Sequence, residues 1–249
     1  MSVEQYLSDV VARDGAAHLT LIDPDSQSPE AAGVIARKAK AGGTDAIMIG
    51  GSTGAGGPVL DDTVLAIKDN CNLPTILFPS SAGGVCPHAD AIFFMSLLNS
   101  RDVNYLITNQ MLGAPLVRKY DIEPIPMAYI IAEPGGTVGW VGDARLIPHN
   151  KPAIAAAYAL AGKYLGMRYT YLEAGSGADR PIPPKMIAAT KHVIGSNMLI
   201  VGGGIRDGVT AKICSEAGAD IIVTGTVVED VSDVEGKVRE FVDAIKVIR

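Results

Sequence analysis

Cysteine is scarce in this chain: Cys71, Cys86 and Cys214 are the only three in 249 residues. So few, so scattered, they exclude a disulfide framework and a zinc motif and point to free thiols in a reducing compartment. Long apolar runs are missing as well. No stretch reaches the ~18 residues that a membrane span requires. The first residues, MSVEQYLSDVVARDGAAH, are charged and amphipathic and lack the apolar centre of a secretion signal. A soluble, cytoplasmic protein is the expectation. Positive charge is in deficit, with 21 Lys and Arg against 27 Asp and Glu and a net charge of −6. Such a chain exerts no global pull on nucleic acid or on an anionic membrane. Neither a nucleic-acid partner nor stable membrane insertion is expected, and any phosphate must be held locally.

What the chain does have is glycine, 28 residues, many of them just after apolar runs, in a composition 48% hydrophobic and 19% charged. That is globular composition with enough apolar material for a full core. Eight short, β-branched, nearly continuous apolar runs predict strands at 17–22, 45–49, 74–78, 90–95, 125–131, 169–173, 198–202 and 220–224. Continuous apolar character marks strands buried on both faces, hence a parallel sheet. Helical stretches are predicted near 29–41, 60–70, 101–119, 150–166, 183–195, 207–217 and 232–247, with Pro29 and Pro183–Pro184 at starts and Gly42, Gly166, Gly195 and Gly218 at ends. Eight alternating units in about 250 residues fit one (β/α)8 TIM barrel over 1–249; a doubly wound open sheet usually has fewer strands. The third unit is irregular, because SSAGGVCPHA at 80–89 is too short and too rich in Gly and Pro for a standard helix. A weak repeat, G-x-D-x-I-x-x-G at 43–50 and 218–225, leads into the second and eighth strands; recurrent turn chemistry explains it equally well.

In such a barrel the active site lies at the C-terminal ends of the strands. Gly203–Gly204 and Gly225–Thr226 follow strands seven and eight, the usual phosphate position, and Gly175–Ser176–Gly177 follows strand six. Glycine lets the backbone approach an anion, and neutral amides then bind phosphate without a basic surface. After strand one come Asp23-Pro24-Asp25, with Ser52 and Thr53 after strand two. These are hard oxygen ligands suited to Mg²⁺, though spacing alone favours an Asx-type turn before a helix capped by Ser28. Tyr171 and Glu173, two residues apart on strand six, point to one face. Glu173 there is either a general base beside a phenol or a structural carboxylate paired with a cation. Phe78, Phe93, Phe94, Met95 and Leu97 are candidates for an apolar groove, or for plain core.

Taken in order, LTLIDPD, IMIGGSTG, FFMSLLNS, PGGTVGWVGDA, YLEAGSG, VGGGIRD and VTGTVVED resemble the archaeal geranylgeranylglyceryl phosphate synthases, from about residue 17 to 247. The resemblance implies a Mg²⁺-dependent prenyltransferase that joins sn-glycerol 1-phosphate to geranylgeranyl diphosphate, releases diphosphate and makes the first ether bond of archaeal membrane lipids. It implies Asp23 and Ser52 as Mg²⁺ ligands. It assigns the glycerol phosphate site to Tyr171, Leu172, Glu173, Ala174, Gly175, Ser176, Gly177, Gly203, Gly204, Gly225 and Thr226; within that site the chemistry of the residues gives Glu173 and Tyr171 the catalytic roles. It also implies a missing third barrel helix and a homo-oligomer, dimer or hexamer. Bacterial relatives carry a lysine two residues before the first Asp; Leu21 stands there, which favours the archaeal branch. Two rivals share the phosphate loops: a phosphosugar isomerase-type barrel, which needs an acid–base pair at strands one and five where only Glu133 is on offer at the fifth, and a non-catalytic phosphometabolite-binding barrel.

Overall fold

The computed structural model describes residues 1–51 and 56–247. Strands β1 (Ala17–Ile22), β2 (Ala46–Ile49), β3 (Thr75–Leu77), β4 (Ala91–Leu97), β5 (Glu123–Ile131), β6 (Tyr169–Glu173), β7 (Met198–Gly202) and β8 (Ile221–Thr224) close into one parallel barrel. Closure is made by β1 against β8, with Leu19 opposite Val223. This is the TIM barrel expected from the strand count. Each strand shows period-two alternation between two apolar layers. Leu19, Met48, Ile76, Phe93, Tyr129, Tyr171 and Ile200 fill the barrel interior. Ile22, Ile47, Leu77, Ile130, Leu172 and Val201 pack outward under the helices.

The helices are α1 (Val3–Asp14), α2 (Pro29–Gly42), α3 (Gly57–Asn70), α4 (Asn109–Lys119), α5 (Gly136–Val141), α6 (Pro152–Tyr164), α7 (Pro184–Ile194), α8 (Gly208–Glu216), α9 (Thr226–Glu229) and α10 (Val234–Ile245). Seven of these answer the helical stretches expected from sequence. Ser28 caps α2 and accepts from the Ala31 amide at 3.3 Å, with Pro29 in the first turn. Three helices were not anticipated. α1 closes the N-terminal end of the barrel: Val3, Leu7 and Val10 join the interior cluster, and the Glu123 carboxylate at the foot of β5 accepts from the amides of Val3 at 2.5 Å and Glu4 at 3.0 Å. A carboxylate there both satisfies orphan donors and complements the helix dipole. α5 and α9 are single-turn insertions at the opposite end.

Between β3 and β4 only one 3-10 turn, Ala82–Gly84, stands where a barrel helix would be, as the composition of 80–89 led us to expect. The stretch expected as one helix over 101–119 begins instead with a π turn at Asn104–Thr108 before α4. Gln110 fastens that turn, its amide nitrogen donating to the carbonyls of Met95 at 2.6 Å and Tyr105 at 3.1 Å. No helix among the described residues is long and apolar enough to cross a membrane.

Candidate active site

Two adjoining cavities open at the C-terminal mouth of the barrel. The larger, about 520 Å³, runs from Asp23 and Gly51 over Phe78 and Phe93 to Tyr105, Gly113 and Val117. The smaller, about 280 Å³, lies between the loops after β6, β7 and β8. Both volumes are near or within the range of ~300–1,000 Å³ typical of ligand sites. Leu21, Glu173, Ser176, Gly225, Thr226 and Asp230 border both.

The missing third helix makes room for the larger cavity. Phe78, Ala82, Val85 and Ile92 border it, and the π turn and α4 supply its far wall. All five residues expected to line an apolar groove, Phe78, Phe93, Phe94, Met95 and Leu97, do line it. Tyr129 lines it as well, and Phe78 and Tyr129 pack against Tyr171, which borders the smaller cavity. Phe78 lies 5.2 Å from Tyr129 and 5.5 Å from Tyr171, and the two tyrosine rings are 5.3 Å apart. Burial, with the Glu173 charge beside them, pushes both phenols far above their ordinary range, so they stay neutral. Tyr129 was missed at the sequence level, although Met127, Tyr129 and Ile131 alternate inward on β5.

Glu173 sits at the junction of the two cavities and is only 7% exposed. Its Oε1 accepts from the Gly175 amide at 2.6 Å. Burial raises its carboxyl above the usual range, against the opposing pull of the Gly175 amide and the Tyr171 hydroxyl. None of the ion pairs among the described residues involves it. A buried carboxylate with raised pKa, neutral phenols around it and no ion-pair partner among the described residues is equipped to take a proton.

Six of the other residues expected at a phosphate subsite, Ser176, Gly177, Gly203, Gly204, Gly225 and Thr226, border the smaller cavity with Tyr171. The Ser176 and Thr226 hydroxyls are 2.8 Å apart across its entrance. Gly203 and Gly204 have φ of 81° and 70°, which favours glycine, and close approach demands it as well. A β-carbon on Gly203 would strike the Glu173 carboxylate, and one on Gly204 the Arg180 backbone. α9 follows Gly225 directly, so the amides of Thr226 and Val227 head a short extra helix, an arrangement that frequently holds phosphate in this fold. Three expected residues are placed elsewhere. Leu172 and Ala174 belong to the outer layer beneath the helices, because neighbours of inward-facing Tyr171 and Glu173 must face out. Gly175 borders neither cavity and serves by its bond to Glu173.

At the other wall the Asp23 carboxylate lies against Gly51, where any β-carbon would displace it. Oδ1 accepts from the Asp25 amide at 3.0 Å, so the Asx turn exists. The Asp23 amide donates to Glu229 at 2.9 Å, and Gln27 donates to the Asp23 carbonyl at 2.5 Å. Burial raises the carboxyl pKa of both Asp23 and Glu229. No Lys, Arg or His is among the described residues lining this cavity. Ser52, the other expected metal ligand, lies outside the described residues, as do Thr53 and Gly54. The donor set is therefore oxygen only and lacks a side-chain cation, which fits Mg²⁺. No group of three His, Cys, Asp or Glu among the described residues encloses a metal, and Mg²⁺ characteristically keeps waters and shares substrate oxygens.

The model of the PcrB family matches residues 9–245. The chain is 72% identical over 246 residues to the geranylgeranylglyceryl phosphate synthase of Methanococcoides burtonii and 68% identical over 246 residues to that of Methanosarcina acetivorans, in each case over 99% of this chain and 100% of the relative. Among solved structures, the (S)-3-O-geranylgeranylglyceryl phosphate synthase of Thermoplasma acidophilum in complex with sn-glycerol-1-phosphate superposes with a TM-score of 0.95 at 41% identity, covering 99% of both chains. A 3-hexulose-6-phosphate synthase, 17% identical with a TM-score of 0.59, shares the fold alone.

Proposed function

Because the chain belongs to the PcrB/geranylgeranylglyceryl phosphate synthase family, we propose that its two cavities hold the two substrates of that prenyl transfer. The smaller takes sn-glycerol 1-phosphate, and the larger the prenyl chain of geranylgeranyl diphosphate. The observation that carries this reading is the shared border: one deep apolar cavity and one glycine-lined cavity meet at Glu173. The Thermoplasma acidophilum relative was solved with sn-glycerol-1-phosphate, which supports a glycerol phosphate subsite in the same barrel.

The chemistry follows from the residues at that border. The loops after β6, β7 and β8 fix the phosphate end, so that the free primary hydroxyl of the glycerol points to Glu173. Glu173 accepts its proton as the oxygen bonds to the first carbon of the prenyl chain, and the bond from that carbon to diphosphate breaks. Holding both reactants turns a collision into a positioned step. Tyr171 orients the Glu173 carboxylate, and the rings of Phe78 and Tyr129 exclude water from the reacting carbon. Asp23, with Ser52, would hold Mg²⁺, while Glu229 fixes the Asp23 backbone. When bound, Mg²⁺ supplies charge neutralisation of the departing diphosphate.

The exposed Val103, Ile107, Met111 and Leu112, and Trp140 on α5, support a homo-oligomer, checked by sedimentation equilibrium. The reading of the site is tested by Mg²⁺-dependent ether formation from sn-glycerol 1-phosphate and geranylgeranyl diphosphate. A fold-only or sensor role would give binding of glycerol phosphate without any ether product.

A further inference from the structure

Neutral backbone and hydroxyls form the phosphate end of the smaller cavity, and Arg206 stands beside them. Arg206 follows β7, and it is the only Lys, Arg or His among the described residues that line the smaller cavity. Its Nη2 donates to the carbonyl of Gly177 at 2.9 Å and to that of Ala178 at 3.1 Å. Both acceptors belong to the loop after β6. One guanidinium therefore ties together two of the three loops that border the cavity, and the third is joined to the same segment through Ser176 and Thr226.

The loop it holds needs holding. Gly175 and Gly177 have φ of 107° and 67°, and two glycines in so short a turn leave the free backbone many alternatives. The turn closes internally through the Ala178 amide, which donates to the Gly175 carbonyl at 3.1 Å. Because each peptide unit is planar, fixing the carbonyls of Gly177 and Ala178 also fixes the amides that follow them. Bonds from a charged donor are the strong kind, and a planar guanidinium sets direction as well as distance. Arg206 itself is exposed and takes part in no ion pair among the described residues. Its contribution to folding is correspondingly small, and its geometry is directed at the loop.

We propose that Arg206 is a positioning residue of the glycerol phosphate subsite: it clamps the Gly175–Ala178 turn onto the loop after β7 and supplies the only side-chain cation that borders that cavity among the described residues. This rests on the reading of the smaller cavity as the glycerol phosphate subsite. The test compares the full-length wild type with R206M and R206K by calorimetric titration with sn-glycerol 1-phosphate alone, steady-state kinetics and thermal unfolding. R206M is expected to weaken binding by roughly 10- to 100-fold, the scale of lost charged hydrogen bonds. KM for sn-glycerol 1-phosphate rises in step. The kcat at saturation, the KM for the prenyl diphosphate and Tm are expected to stay near wild type. R206K keeps the charge without the planar geometry and should recover only part of the loss. Wild-type affinity in folded R206M overturns the clamp, as does full rescue by lysine, which would leave charge alone as the cause. Equal losses for both substrates with a lowered Tm would mark a general structural role and also overturn it. A wild type that binds no sn-glycerol 1-phosphate would sink the reading of the cavity itself, whereas a binding wild type beside an unaffected R206M sinks only the clamp.

Discussion

Replacing Glu173 with glutamine separates its two conceivable duties, because they move different observables in opposite directions. Glutamine keeps the shape and the Oε1 acceptor that receives the Gly175 amide at 2.6 Å, and it loses only basicity. If Glu173 takes the proton, turnover should fall by about 10²–10⁴, or about 3–5 kcal/mol on the barrier at ~1.36 kcal/mol per tenfold. Stability should go the other way. Burial raises the folded-state pKa of Glu173, so the folded protein holds this proton more tightly than the unfolded chain does. Ionising it therefore costs the fold, and stability is lost as pH rises from the unfolded value, ~4.3, through the raised folded one. Glutamine has no such cost. At pH 7 the Tm of Glu173→Gln should equal or exceed that of the wild type, and the advantage should vanish in acid, where both states of the wild type are protonated. The wild-type turnover should fall as pH drops through the same raised pKa. Turnover and thermal unfolding measured on one preparation at several pH values decide the matter. Wild-type turnover in the variant, or a lower Tm with turnover intact, refutes the assignment of Glu173 as base.

Asp23→Asn should abolish Mg²⁺-dependent transfer while leaving sn-glycerol 1-phosphate affinity nearly intact, because Asp23 borders only the larger cavity; calorimetry with each substrate checks it. A phenylalanine in place of Gly113 has room for its β-carbon, whose nearest neighbour would be Val85 at 3.6 Å, but its ring must enter the apolar cavity. The expected result is a raised KM for geranylgeranyl diphosphate with glycerol phosphate binding unchanged. His18 is buried between the hydroxyls of Thr44 at 2.9 Å and Thr224 at 3.0 Å, and burial lowers its pKa to about 3, with the Lys246 charge adding to the effect. Since the unfolded chain takes up that proton first, near pH ~6.5, stability should fall as pH drops from there toward about 3. His18→Gln should flatten that slope in denaturant midpoints measured across the range.

The eight strands were legible because parallel barrel strands are buried on both faces and read as apolar runs; β6 and β7 match the expected spans residue for residue. β5 begins two residues early, at Glu123, since Pro124 looks like a breaker yet its fixed φ suits extended backbone. α5 and α9 escaped notice because one-turn helices carry no periodicity, and the π turn escaped because its register differs from the α pattern only over Asn104–Thr108. At the site, the glycine loops, Tyr171, Glu173 and Asp23 were visible as residues following apolar runs. Leu172 and Ala174 were carried along with their motif, though the alternation that turns Glu173 inward turns them out. Alternation on β5 turns Tyr129 inward but does not mark it as part of the site, and Glu229 gave no local signal, since each matters through a partner far away in sequence: Phe78 and Tyr171 for one, the Asp23 amide for the other.

The seam between β1 and β8 has a consequence for how the enzyme comes into being. Thr20 pairs with Thr224, so the acidic loop after β1 and the hydroxyl-bearing loop after β8 become neighbours only once β8 has left the ribosome. Until then β1 presents an open edge, the kind that invites pairing with another chain, and contacts between residues so far apart in sequence form slowly. The nascent protein therefore gains its barrel closure and its chemistry in the same late event. A chain released before Ile221–Thr224 would have the apolar cavity walls of β3 and β4 and the glycine loops after β6 and β7, but not the loop after β8 that completes the phosphate wall, and activity regained during refolding would report the closing of the barrel.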